Sequence, residues 1–170
     1  MIDGVVVRDL VTLADERGFF REIARTSDLN IDVRQWSHAY RVAGVSNGWH
    51  IHRYHIETFY VVRGVMRLCL KDCRRGDGVV VRYPYNGDEI KTVLFGLSDT
   101  PDEYMEIVLS EHLPRVVRVP AGVAHGYKIL QECDIVYTAT VDYSTSRNDE
   151  GRINYDRWAH HDWTRSTEVG

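Results

Sequence analysis

The chain is 170 residues long, 44% hydrophobic and 27% charged, the proportions of one folded domain rather than of a disordered tail, a collagenous repeat or a coiled coil. Its formal net charge of −4 leaves no summed positive field for a nucleic acid polymer or an anionic membrane, so a bound phosphate must be met by a few placed arginines. Cys69, Cys73 and Cys133 form no CxxC pair, which speaks against a disulfide scaffold or zinc ribbon; with an amino terminus carrying neither a secretory nor a spanning segment, they point to a cytoplasmic protein.

No repeat, low-complexity tract or linker divides residues 1–170, which read as one domain. In chain order, runs rich in Val, Ile, Tyr, Phe and Thr predict strands, with one short helix among them. They are Gly4–Leu10, the helix capped at Thr26-Ser27-Asp28-Leu29, Gln35–Val42, Glu57–Val62, Val65–Leu70, Gly78–Arg82, Lys91–Leu94, Tyr104–Leu109, Arg115–Val119 and Asp134–Val141. Turn signals fall at Asn47-Gly48, Arg63-Gly64, Arg75-Gly76-Asp77, Asn86-Gly87-Asp88 and Ala121-Gly122. No apolar pattern of helical period persists for three turns, and the tail after Asn148 favours neither element. Many short strands predict an all-β antiparallel sandwich or barrel with few short helices, in which inward-pointing polar side chains at the mouth carry the function.

Eight histidines are an excess, and His50, His52 and His55 share one segment. On a strand, residues two apart share a face, so His50 and His52 point the same way. Glu57 opens the next run, and a bend between them brings its carboxylate toward both rings. His125 follows the turn after Pro120. Three imidazoles and a carboxylate, His50, His52, His125 and Glu57, are a mixed donor set suited to Fe, Mn, Ni, Cu or Zn. His55 reads equally well as a solvated or hydrogen-bonded residue. His38, His112, His160 and His161 join no constellation and read as surface.

Gly44, His50, His52, Glu57 and Gly64 fall at the positions of the first cupin motif, and Pro120, Gly122 and His125 begin the second. The later asparagine of that second motif is Ile129 here and its leading glycine is Pro114. The chain thus resembles the cupins, which implies an antiparallel β-barrel or jelly roll.

A closer resemblance runs nearly end to end. Asp15-Glu-Arg17-Gly-Phe-Phe20-Arg-Glu22, then Gln35, Gly44-Val with Gly48-Trp-His50, Pro120-Ala-Gly-Val-Ala-His125-Gly-Tyr127, Val136-Tyr137 and Val141-Asp142-Tyr143 are similar to motifs of the dTDP-4-dehydrorhamnose 3,5-epimerase family. That family acts on nucleotide-linked 4-keto-6-deoxysugars. Protons on C3 and C5 are alpha to the ketone, so removing one gives an enolate, and returning it to the other face inverts the centre. The resemblance implies His50 as base, Asp142 as the carboxylate that orients it, and Tyr137 as the acid on the opposite face. An odd separation would put Tyr137 and Asp142 on opposite faces of a regular strand, so a bulge or bend is required. It also implies that Arg17 and Glu22 hold the nucleotide across a subunit boundary, with Phe20, Gln35, Asn47 and His125 contacting substrate, and that the chain is a homodimer needing no cofactor.

Three positions depart from that family: its arginine is Asn47, the glutamine after its histidine is His52, and its lysine in the next strand is Glu57. Losing two cations and gaining an anion works against both a diphosphate and an enolate. A divalent ion on His50, His52, Glu57 and His125 reverses the sign, but then His50 is no longer a free base. The sequence therefore predicts a sugar-nucleotide epimerase, with two alternatives: a metal-dependent cupin, either a dioxygenase or a metal-assisted isomerase, or a non-catalytic sugar-binding cupin.

Overall fold

Alternation of apolar and polar residues sets most of the sheet. The computed structural model describes residues 1–74, 79–84, 90–95, 104–143 and 149–153, the second and third of these by backbone alone. In chain order the elements are β1 (Val6–Asp9), β2 (Thr12–Asp15), β3 (Gly18–Arg21), α1 (Thr26–Leu29), β4 (Gln35–Arg41), β5 (Ser46–His52), β6 (Glu57–Asp72), β7 (Val79–Pro84), β8 (Ile90–Phe95), β9 (Tyr104–Ser110), β10 (Arg115–Val119), β11 (Val123–Ala139) and β12 (Glu150–Arg152).

One antiparallel sheet carries all but β2 and β3, in the order β1-β10-β6-β11-β5-β12-β7-β8, with β9 paired to β6 and β4 to β11. The long strands β6 and β11 pair with each other from Val123↔Asp72 to Ala139↔Glu57. On its other edge, β6 pairs with β10 near Phe59 and with β9 near Leu68; β11 pairs with β5 near His125 and with β4 near Tyr137. Each long strand therefore serves both halves of the expected cupin-type barrel. Met66, Leu68 and Leu70 of β6 pack in one core with Leu109, Val117, Ile129 and Ile135. Removing each such side chain from water contributes about 1.5–3 kcal/mol, so this core holds the mouth residues in place.

Most predicted strands are present, with four differences. Arg63-Gly64 is not a turn but a bend within β6. Gly64 there has φ +87°, and a Cβ would lie 1.9 Å from the backbone oxygen of Glu132. The pairing slips in register across this bend instead of ending. Asn47-Gly48 is likewise inside β5. Between Tyr127↔Asn47 and His125↔His50, three steps on β5 face two on β11, which is a bulge. The hairpin β2–β3 was not expected, because most of its residues are exposed and leave no alternation to read. Its turn chemistry was visible: Asp15 Oδ1 accepts the Arg17 N–H at 2.9 Å. Finally, β11 begins directly after the Gly122 turn and runs well before Asp134, and β12 lies in the ambiguous tail. Helix α1 forms where expected, but with Arg25 as N-cap and no side-chain cap bond. The turn signals at residues 75–77 and 86–88, and His160 and His161, lie outside the described residues.

Gly64→Ala should destabilise the fold by roughly 2–4 kcal/mol, since it combines a left-handed backbone with a backbone collision. Urea unfolding monitored by tryptophan fluorescence measures it.

Candidate active site

The β5 bulge makes the site possible. Asn47 and His50 are an odd number of residues apart, yet both line one cavity of about 270 Å³. Arg41, Tyr127, Tyr137 and Arg152 line it too. A second cavity of about 310 Å³ is lined by Gln35, His52, His55, Asp142 and Asp149, and the two share Glu57, Tyr137 and Glu150 as a common wall. His50 and Tyr137 are thus brought together, on β5 and β11. Tyr137 stacks on Phe59, its cross-strand neighbour, at 6.1 Å between centroids.

The carboxylate facing His50 is Glu150, not Asp142. Glu150 Oε1 lies 3.5 Å from His50 Nδ1 and accepts a 2.8 Å bond from Arg152. The register of β12 on β5 explains this, because Arg152 pairs with His50 and Glu150 with His52. Asp142 lies beyond the end of β11, where strand alternation no longer governs direction. It is exposed and lines the second cavity beside Tyr137. The expected Asp142–His50 pair is therefore corrected to Glu150–His50. A three-residue strand is too short to show a period, so no local pattern could have identified Glu150.

Burial first, and then the neighbouring His125 and Arg152, push the His50 imidazole down to about 3. It is neutral at neutral pH, and its buried Nε2 has no hydrogen-bond partner among the described residues. A neutral imidazole on the wall of a cavity can accept a proton.

Glu57 is not the isolated anion that its position suggested. His125 Nε2 lies 2.8 Å from Oε2, His52 Nε2 3.4 Å from the same oxygen, and His55 Nε2 3.8 Å from Oε1. Burial alone would raise this carboxyl, but the charge and proximity of His125, then His52 and His55, hold it well below the usual range. Asp149 closes the cluster: Oδ1 lies 2.9 Å from His55 Nδ1 and 3.6 Å from His52 Nδ1, while Oδ2 accepts the backbone N–H groups of Tyr54 and His55. Burial lowers a histidine, yet Asp149 and Glu57 together bring His52 up to about 9 and also raise His55. Two carboxylates then face the His52 imidazolium and the His55 ring, and both favour the charged form of these imidazoles. His55, left open by the sequence, belongs to it, and Asp149 was missed.

For a metal, two groups have ligand atoms within 4.8 Å of one another, His52 with His55 and Asp149, and His52 with Glu57 and His125, and the second holds three of the four expected ligands. His50 is outside it, so the expected four-ligand set is corrected to three and the competition for the His50 ring disappears. Glu57 Oε2 is buried and, at these ring angles, accepts no well-directed hydrogen bond. An orphaned anionic oxygen converging with two imidazole nitrogens fits a divalent cation, which must displace the proton of His52 to enter.

Arg17, Phe20 and Glu22 line neither cavity. Arg17 is 83% exposed on the hairpin and binds Asp15, Phe20 is exposed, and Glu22 pairs with Arg25 at 3.0 Å. Gln35 lies in the second cavity and accepts the Tyr143 N–H at 2.7 Å. His38 is exposed and meets Asp134, and His112 is exposed, as expected of surface histidines.

The family described as "Polysaccharide biosynthesis C-terminal domain" matches residues 13–100, more than half of the chain. The spore coat polysaccharide biosynthesis protein SpsL of Bacillus subtilis is 30% identical over 92% of this chain and 91% of its own. The probable low-salt glycan biosynthesis epimerase Agl13 of Haloferax volcanii is 28% identical over 91% and 89%. Among solved structures, the dTDP-6-deoxy-D-glucose-3,5-epimerase of Legionella pneumophila, in complex with dTDP-4-keto-L-rhamnose, superposes with a TM-score of 0.72 at 24% identity. That match covers 99% of this chain and 83% of the other. The two rolled halves sharing β6 and β11 are thus the epimerase-type cupin fold, and the chain, related along nearly its whole length to a spore coat polysaccharide protein, belongs to the polysaccharide biosynthesis C-terminal domain family.

Proposed function

We propose that this protein is an epimerase of a nucleotide-linked 4-keto-6-deoxysugar in polysaccharide or glycan biosynthesis. The observation that carries the proposal is a neutral His50, faced by Glu150, on the wall of the same cavity as Tyr137. The His50 imidazole takes the proton alpha to the ketone, and the C–H electron pair moves into the carbonyl to form an enolate. Tyr137 then delivers a proton to the opposite face. Glu150 faces Nδ1 and stabilises the imidazolium as it forms, with Arg152 fixing the carboxylate. The imidazoles around Glu57 reduce the repulsion that an unpaired anion would exert on the enolate. Incubation with dTDP- and UDP-linked 4-keto-6-deoxysugars in deuterium oxide should exchange a C3 or C5 proton. His50→Asn should abolish exchange, Glu150→Gln should slow it by about 10²-fold or more, and Tyr137→Phe should retain exchange while losing inversion. No exchange from any such sugar would sink the proposal.

A second reading, a metal-dependent cupin, is favoured by the orphaned Oε2 of Glu57. His52, Glu57 and His125 would hold the ion, and it would supply Lewis-acid polarisation of a sugar carbonyl. Elemental analysis of the purified protein should find near-stoichiometric Fe, Mn, Ni, Cu or Zn on this reading, and Glu57→Gln should remove it. A protein that can be neither isolated with metal nor loaded with it rules the reading out.

The hairpin supports a homodimer. Leu13, Phe19 and Phe20 are 63–65% exposed on two strands that pair only with each other among the described residues. An isolated two-stranded hairpin is marginal in water, and exchange with a second copy gives it a partner while placing Arg17 and Glu22 at the neighbour's site. Light scattering should give twice the chain mass, and Phe19→Ser with Phe20→Ser should shift it toward the monomer. A native monomer refutes this. The buried cysteine thiols fit a reducing, cytoplasmic setting.

A further inference from the structure

Asn47, on the bulge of β5, brings no charge to the cavity of His50, so positive charge for an anionic substrate comes from other strands. Burial alternates along β4, with Gln35, Ser37, Ala39 and Arg41 on the more buried face and Trp36, His38 and Tyr40 exposed. Arg41 therefore occupies an inward position at the end of its strand and lines the cavity of His50. Its Nε donates to Tyr127 Oη at 3.2 Å, and Asn47 Nδ2 donates to the same oxygen at 3.1 Å. The guanidinium thus stands beside the Asn47 amide.

The donors of this corner meet no carboxylate among the described residues. The Tyr127 oxygen already accepts two bonds, so its own proton is left to donate, and Tyr127 is only 8% exposed. Arg41 donates through Nη1 to the Tyr40 carbonyl, and its Nη2 has no acceptor among the described residues. No carboxylate among those residues pairs with Arg41. By contrast, Arg152, the other described cation lining this cavity, is held by Glu150 at 2.8 Å. A buried hydroxyl, an amide and an unneutralised guanidinium converging in a cavity meet the acceptor oxygens of a phosphate ester.

We propose that Arg41, Tyr127 and Asn47 form the phosphate subsite of this enzyme and take an oxygen of the substrate's diphosphate, so that β4 supplies the cation missing from β5. The role in substrate binding rests on the nucleotide-sugar reading above; the anion site itself does not. Inorganic pyrophosphate titrated calorimetrically into the full-length protein tests the site without any sugar chemistry.

Wild type should bind, and added salt should weaken that binding. Arg41→Gln should lose at least tenfold in affinity for pyrophosphate and for UDP or dTDP, Arg41→Lys should recover part of it, and Arg63→Gln on the outer surface should match wild type. In turnover, Arg41→Gln should raise KM at least tenfold with kcat little changed, the mark of lost binding rather than lost chemistry. If Arg41→Gln fails to fold, Asn47→Asp decides, because an anion beside the same hydroxyl must also weaken pyrophosphate at least tenfold. Wild type that binds no pyrophosphate, or variants within twofold of it, overturn the subsite. Pyrophosphate binding that depends on Arg41, without proton exchange from any 4-keto sugar nucleotide, leaves the subsite standing and removes the epimerase.

Discussion

The ladder between β6 and β11 is the constraint from which the site follows. These strands are hydrogen-bonded along almost their full length, and each reaches both halves of the barrel. A flat pair of that length could not roll, so the register slips between Ile129 and Ile135, opposite the bend at Gly64. Packing there is close enough that no side chain fits at Gly64. The two ends of the ladder are consequently held at fixed positions, and they carry His125, Tyr137, Glu57 and Phe59, four residues of one cavity. A rigid, buried pair of strands places polar groups where loops could not hold them to the accuracy that proton transfer demands.

On this frame the electrostatics are arranged by pairing rather than by net charge. A chain of net charge −4 with a buried glutamate at its centre is a poor host for an enolate or a diphosphate. The structure answers with two separate devices. Around Glu57, imidazoles converge on the carboxylate, and Asp149 balances their charge from the other side. Beside His50, Glu150 and Arg152 pair with each other, and burial, with His125 and Arg152 nearby, keeps the ring neutral. Positive charge is then left at Arg41, which pairs with no carboxylate among the described residues. The His52 cluster and the His50 ring sit on the same strand two residues apart, yet burial and partners drive their protonation in opposite directions. Such divergence suits the proposed division of roles, with His50 as the base and His52 in a charged scaffold.

Much of this was legible before any coordinates. The all-β class, the inward direction shared by His50 and His52, the approach of Glu57 and the convergence of His125 all followed from strand spacing and turn position. Other features were hidden for physical reasons. Arg63-Gly64 and Asn47-Gly48 carry turn chemistry, but ladder pairing on both sides overrides it and turns them into a bend and a bulge. The hairpin from Thr12 to Arg21 buries almost nothing and so has no hydrophobic period. Asp149, Glu150 and Arg152 lie in a segment too short for any period, and Arg41 reads as an ordinary strand terminus until its neighbours are known.

The sequence by itself determined which chemical groups are available and which of them share a face, because those follow from residue type and from the two-residue period of a strand. It could not determine which carboxylate meets His50 or which cation stands in for the arginine absent at Asn47. Both depend on contacts between residues distant along the chain: the register of β12 on β5, and the meeting of β4 and β5 over Tyr127. Register is chosen by the burial of whole strands, and the partner of a side chain is therefore settled by packing far from it. The tertiary structure replaced Asp142 by Glu150, took His50 out of the metal-compatible set, and brought Arg41 to the side of Asn47.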